Sequence, residues 1–313
     1  MQHRPLGRSG LSIAPLMLGG NVFGWTADEA TSHAILDAFV DGGFNAIDTA
    51  DVYSGWVPGH AGGESETVLG TWLKARGRRD DVIIATKVGM WPAQPGLSAA
   101  NIIAACEGSL KRLRTDYIDL YQSHRDDADT PQEETAEAFG RLVKAGKVRA
   151  IGASNFDAAR LASALKVSAD QGLPRYDTLQ PPYNLMDRSI EGPLQQLCVD
   201  QTVAIISYYG LASGFLTGKY RSAADLGKSP RGRGAKAPLE SERGPEVLAA
   251  LDAVSAELGA TPAQVALAWV MARPAVAAPI ASATSLTQLK ELMGAARLTL
   301  DAGQMSRLDA ASA

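Results

Sequence analysis

Apolar residues along the chain fall into short runs, each followed by a turn and then by a stretch of helical period. The runs are Pro15 to Gly19, Phe44 to Asp48, Val82 to Lys87, Ile118 to Gln122, Val148 to Ala153, Thr178 to Gln180, Val203 to Tyr208 and Val276 to Ile280. Near-continuous apolar runs of this length are the pattern of strands covered on both faces. Their alternation with helices predicts crossover connections and a parallel sheet. Eight units in 313 residues fit a closed (β/α)8 TIM barrel better than an open sheet, so an α/β fold with one domain over residues 1–313 is expected.

The intervening helices carry signals of their own. Ile35, Leu36, Phe39 and Val40 form an apolar stripe that ends at Gly42-Gly43, a C-terminal cap. Thr130-Pro131-Gln132-Glu133 and Thr261-Pro262-Ala263-Gln264 both read as capping boxes with proline at the first helical position. Two segments stand outside the repeat. His3 to Gly7 and Leu11 to Ala14, around Arg8-Ser9-Gly10, predict a small N-terminal β-hairpin that could plug the N-terminal mouth of the barrel. From Gly210 to Gly244, after the seventh strand, the chain is rich in Gly, Ser, Lys and Arg, which predicts a long loop of functional or mobile character.

Composition narrows the partners. The hydrophobic fraction of 46% supports a sizeable core, and 30 basic against 34 acidic residues leave a formal charge of −4. No Lys/Arg cluster of nucleic-acid-binding length occurs, which favours a small-molecule partner over nucleic acid or membrane. Cys106 and Cys198 lie far apart without C-x-x-C spacing and read as buried thiols in a reducing compartment. The N-terminal residues lack the apolar core of a signal peptide, and a cytoplasmic location is expected.

In a β/α barrel the working groups sit at the C-terminal ends of the strands. Polar residues that close or follow apolar runs are therefore the candidates: Asp48 with nearby Tyr53, Lys87, and His124. Taken singly, each has a structural reading: an Asp that caps the next helix, a Lys facing solvent, a His buried for packing. The four His residues, His3, His33, His60 and His124, are scattered without zinc-ligand spacing, so no metal is expected. Gly19-Gly20 and Gly62-Gly63 lack the G-x-G-x-x-G pattern, which leaves a Rossmann reading without support.

Taken together, these residues resemble the aldo-keto reductases, including the branch related to channel β-subunits. Asp48, Tyr53, Lys87 and His124 match that family's catalytic Asp, Tyr, Lys and His in order and strand position. Gly146 to Phe156, Gln180 with Tyr183-Asn184, Ser213 to Tyr220 and Gln288 to Glu291 extend the likeness over nearly the whole chain. The resemblance implies hydride transfer between a nicotinamide cofactor and a carbonyl or alcohol. Tyr53 would be the general acid, Lys87 the cation that tunes it, Asp48 the group holding Lys87, and His124 the donor orienting the carbonyl.

The resemblance also implies a cofactor site. Ser154, Asn155 and Gln180 would meet the nicotinamide carboxamide, Tyr208 would stack on its ring, and Gly20 and Asn21 would border it. Tyr209, Gly210, Leu211, Ser213, Gly214 and Lys219 would cradle the pyrophosphate beneath the long loop. Thr284, Gln288 and Glu291 would take the 2′-phosphate end, where Arg231 of that loop could add a charge, a solvated basic loop being the alternative; this favours NADP, with NADPH preferred, over NAD. This chain has Tyr209-Gly210 where many members have Ser-Pro, and Leu292 where an Asn is usual. Trp25, Trp56 and Trp91 lie after the first three strands and predict an aromatic-walled substrate mouth beside Tyr53 and His124, with packing roles as the alternative. Two other readings stay open: an alcohol dehydrogenase working mainly in oxidation of bulky secondary alcohols, and a channel-subunit-like NADP-binding partner, in which an Asn stands at the His124 position. Homo-oligomerisation is compatible with all of these.

Overall fold

The computed structural model describes residues 1–229 and 232–313. Eight parallel strands close a barrel: β3 (Met17–Gly19), β4 (Ala46–Asp48), β5 (Ile83–Val88), β6 (Ile118–Ser123), β7 (Val148–Ser154), β8 (Tyr176–Gln180), β9 (Ala204–Ser207) and β10 (Val276–Ala281). They pair in chain order, and β10 closes the ring against β3. All eight apolar runs of the sequence are these strands, so the barrel expectation holds. Before them, β1 (Arg4–Pro5) and β2 (Ser12–Ile13) form the antiparallel hairpin.

Side-chain alternation explains where the chemistry lies. Along a strand every second side chain faces the barrel axis. The inner cluster takes Ala46 from β4, Ile83 and Ala85 from β5, Leu120 from β6, Ala150 from β7, Ala204 and Ile206 from β9, and Ile280 from β10. Continuing the same parity toward the C-terminal rim reaches Asp48, Lys87, Gln122, Ser154, Tyr208 and Ser282. Apolar residues thus fill the lower barrel, and polar ones succeed them in the same inward file. Gly152 keeps this interior open, because a Cβ there would collide with the Thr178 hydroxyl and crowd Gln122. At the opposite mouth Leu6, Leu11 and Ile13 of the hairpin join the inner cluster and seal it, as expected. Arg4 clamps the hairpin by donating to the carbonyl oxygens of Met271 and Val276.

Helices wrap the barrel and bury their apolar stripes on its outer face. In α1 (Glu29–Asp41) the buried Ile35, Leu36 and Phe39 are the predicted stripe, and Gly42 caps its end. The helices α2 (Glu64–Arg76) and α3 (Ala99–Leu113) follow β4 and β5. The Thr261–Gln264 capping box opens the helix Pro262–Met271 as expected. Its predicted counterpart at Thr130 does not form: the helix starts at Gln132 with Pro131 as its cap, and the Thr130 hydroxyl donates instead to Asp127 Oδ2 at 2.7 Å. Asp127 also accepts from the backbone N–H of Leu97, so the threonine serves a turn built around that carboxylate.

The segment after β9 is more ordered than its composition predicts. It contains 3₁₀ turns at Ala212–Thr217 and Ala223–Lys228, then the helices Gly232–Glu240 and Arg243–Leu258. Arg231 lies outside the described residues. No described helix is long and apolar enough to cross a membrane, and no group of three or more metal-ligating side chains occurs among the described residues. Cys106 and Cys198 are buried free thiols.

Candidate active site

A cavity of about 690 Å³ opens at the C-terminal rim of the barrel. Its floor is a buried polar cluster. Lys87, from β5, is fully buried, and its ammonium donates to Asp48 Oδ2 at 2.6 Å, to the Thr49 carbonyl at 2.8 Å and to the Tyr53 hydroxyl at 2.9 Å. All three of its N–H groups are thereby used. The Tyr53 hydroxyl is also 3.3 Å from Asp48 Oδ2. On its other oxygen Asp48 accepts from Gln180 Nε2 at 2.9 Å, with Gln122 Nε2 at 3.5 Å. The four residues singled out at the strand ends therefore share one site, and Gln122 joins them as a residue that was not singled out. Its inward parity on β6 was the available signal.

The electrostatics follow from burial. Tyr53 is pushed well above the ordinary tyrosine range, first by burial and then by the Asp48 carboxylate. Burial and the Asp48 carboxylate thus outweigh the expected effect of Lys87 in the resting site. Tyr53 consequently holds its proton at neutral pH. Burial, opposed by Asp48, pulls the Lys87 ammonium below the usual lysine range. His124 is driven well below the usual histidine range by burial and by the nearby Lys87 and Arg125 charges, so it is a neutral imidazole at pH 7. Its ring meets the Tyr53 ring edge-on at 5.9 Å, and its buried Nδ1 has no partner among the described residues.

The cavity wall collects most of the remaining candidates. Asn155, in the left-handed region with φ +57°, donates through Nδ2 to the His124 carbonyl and the Ser154 hydroxyl, and accepts from the Tyr208 hydroxyl at 2.7 Å. Ser154 in turn donates to the Gln180 carbonyl. Tyr209 and Ser213 also adopt positive φ, and together with Gly210, Leu211, Gly214 and Lys219 they line the next stretch. Gly214, at φ +91°, leaves a space beside the Lys219 head that a Cβ would enter. Lys219 is exposed and makes no ion pair among the described residues; its ammonium lies over the Tyr220 ring. Such left-handed backbone beside a free cation suits an anion.

Farther along, Asn21 accepts from the Ser282 hydroxyl, and the Thr284 N–H and hydroxyl both donate to Gln288 Oε1. Glu291 and Leu292 complete that end. Gly20 lies just behind the wall, its N–H on the Asp48 carbonyl.

The three tryptophans separate. Trp56, half exposed, lines the cavity and packs edge-on against Tyr53; Trp25 stands behind it, edge-on to Trp56 at 5.7 Å. Trp91 is not brought to the cavity. Its indole N–H donates to the Ala61 carbonyl, and the Arg112 guanidinium lies over its ring. Val22, Thr26 and Met90 line the mouth and were not singled out; two apolar loop residues and a lone threonine carry no chemical signal that would have marked them.

Comparison with known proteins identifies the family. The model of the aldo/keto reductase family matches residues 15–313. The chain belongs to that family. It is 36% identical to the uncharacterized oxidoreductase YrpG of Bacillus subtilis (strain 168), over 96% of this chain and 93% of the relative. It is 34% identical to protein tas of Escherichia coli (strain K12), over 99% and 97%. It is 35% identical to a probable voltage-gated potassium channel subunit beta of rice, over 94% and 91%. As an aldo/keto reductase the protein is an oxidoreductase, and the buried Asp48–Lys87–Tyr53 cluster at its rim is the candidate catalytic centre.

Proposed function

We propose that this aldo/keto reductase interconverts carbonyls and alcohols with NADP(H), working as a single barrel domain, with Tyr53 as proton donor and acceptor. The observation that carries the reading is the Tyr53 hydroxyl, 2.9 Å from a fully buried ammonium and set in the wall of a cavity beside a neutral histidine. When bound, the nicotinamide supplies or accepts the hydride. Ser154, Asn155 and Gln180 would hold its carboxamide, Tyr208 its ring, and Ser213, Gly214 and Lys219 its pyrophosphate. The left-handed backbone at Ser213–Gly214 beside Lys219, which makes no ion pair among the described residues, supports that last assignment.

Proton delivery then falls to the side chains. Tyr53 keeps its proton at neutral pH and can release it to an oxygen that is gaining negative charge. Lys87, held by Asp48 and the Thr49 carbonyl, donates to the Tyr53 oxygen and so stabilises the phenolate left behind. His124, being neutral, can donate one N–H to the same substrate oxygen without competing for the proton. The aromatic Trp56 and Tyr209 with Met90 form an apolar mouth suited to bulky or aromatic aldehydes, ketones and secondary alcohols. His124 also favours an enzyme over a channel-subunit-like role.

The test is turnover of a panel of aldehydes, ketones and alcohols with each oxidised and reduced nicotinamide cofactor, by wild type and by Tyr53→Phe. The substitution removes one oxygen, so cofactor binding should persist while kcat falls by roughly 10² or more. A Tyr53→Phe protein that binds NADPH and reduces a good aldehyde at near wild-type rate would refute the assignment.

A further inference from the structure

Beneath the catalytic cluster lies a buried carboxyl group that the proposed mechanism leaves unused. Asp51 is fully buried, and neither of its side-chain oxygens accepts a well-formed hydrogen bond among the described residues, the Val52 N–H acting on the carboxyl only as a weak donor. It belongs to the turn that carries Tyr53, whose N–H donates to the Ala50 carbonyl. Its own N–H donates to the Lys87 carbonyl, which ties it to the backbone of the lysine that touches the Tyr53 hydroxyl.

The surrounding charges show that Asp51 is the odd one out. Two cations enter this region, and each has its own carboxylate: Lys87 is paired with Asp48 at 2.6 Å and Arg112 with Glu66 at 2.6 Å. Glu66, from α2, spends its other oxygen on the Thr86 hydroxyl next to Lys87. Facing Asp51 are therefore Glu66 from α2, Arg112 from α3, Lys87 from β5 and the buried Tyr121 phenol from β6. With both cations matched, an ionised Asp51 would be an unpaired buried charge, whereas a neutral carboxylic acid balances the set. Burial and the Glu66 carboxylate, only partly offset by Arg112, accordingly raise Asp51 to about 7.

We propose that Asp51 is a positioning residue for the Lys87–Tyr53 pair: as a neutral acid it leaves the Lys87 charge free to stabilise the Tyr53 phenolate, and on ionising it draws that charge toward itself. The inference rests on Tyr53 serving as the proton donor. Asp51 does not line the cavity; it acts through Lys87. Carbonyl reduction should accordingly weaken as pH rises through about 7, because the phenolate left after proton transfer loses part of its stabilisation.

Two measurements on the full chain test this. Difference infrared spectroscopy, titrated across neutral pH, should show a protonated carboxyl that ionises near 7 in the wild type. The band should be missing in Asp51→Asn and should shift to lower pH in Glu66→Gln, which removes the neighbouring negative charge. The kcat for carbonyl reduction at saturating cofactor and substrate should fall by roughly threefold or more through that pH in the wild type, the response to about half a pKa unit at the phenol. In Asp51→Asn that inflection should vanish, since a merely structural role would scale the profile without removing a step. A band that persists in Asp51→Asn, no carboxyl ionising near neutrality, or identical pH profiles would each overturn the proposal. Should Asp51→Asn not fold, an unshifted band in Glu66→Gln is the overturning result. Absence of turnover with every nicotinamide cofactor would refute the enzymatic reading and the role of Asp51 in it, while the infrared titration, which needs no turnover, would still decide the protonation of the buried acid.

Discussion

Replacing Lys87 by Met shortens the side chain by one atom while keeping an unbranched apolar stem, and deletes its charge and its three N–H donors. The Asp48 carboxylate would then keep only Gln180 Nε2 at 2.9 Å, the longer Gln122 contact and the Tyr53 hydroxyl at 3.3 Å, and the Thr49 carbonyl would lose its donor. The two side chains of the pair are 0% and 2% exposed, so the lost contact is one made out of reach of bulk solvent. Breaking a buried pair from one side costs about 3 to 5 kcal/mol, a large part of the roughly 5 to 15 kcal/mol that holds a protein folded. Removing both charges, in Lys87→Met/Asp48→Asn, leaves no stranded carboxylate and should recover most of that loss. Both variants should lose about 10² or more in kcat, because neither retains the cation at Tyr53. Equilibrium unfolding in urea, followed by tryptophan fluorescence, gives the stabilities, and steady-state reduction of an aldehyde gives the rates. A single variant within about 1 kcal/mol of wild type, or a double variant no more stable than the single one, would show that the pair is not the isolated buried unit described here.

His124→Asn should lower kcat/KM for carbonyls while leaving cofactor affinity within a few-fold, because the ring faces Tyr53 and only its backbone carbonyl meets Asn155; stopped-flow reduction and fluorescence titration check the two halves. Asp51 ionises near 7 in the folded protein against 3.8 when unperturbed, so the native state binds the extra proton between those values and stability falls as pH rises through that window. From pH 5 to pH 7 the loss is at most about 2.7 kcal/mol, and Asp51→Asn should lack it; denaturant midpoints of the two proteins that vary in parallel with pH would contradict the assignment. NADPH should bind at least about tenfold tighter than NADH, and Arg231→Ala should narrow that margin; equal dissociation constants for the two cofactors would reject the NADP preference.

Short-range pattern settled the barrel. Each strand announced itself as an apolar run, α1 by its stripe and terminal glycines, and the helix at Pro262 by Thr261 and Gln264, since these signals depend on residues within one or two turns of each other. Asp48, Lys87 and His124 were legible before any coordinates because they close or follow apolar runs, and Tyr53 because it follows Asp48 in a pattern that resembles the family's. Tertiary structure decided what depends on residues distant in sequence. Thr130 had a local signal for a cap, but Asp127 offered its hydroxyl another acceptor within a turn that also fastens Leu97. Trp91 followed a strand as Trp56 did, yet Ala61 and Arg112 hold it away from the cavity. Gln180 reaches Asp48 across 132 positions of chain only because the barrel closes. Packing of neighbouring units sets Glu66 and Arg112 against Asp51, and the pairing of β4 with β5 puts Asp48 beside Lys87. Residue order assigned each group its strand and face; the proton each one holds depends on which charges and how little water the folded barrel leaves around it.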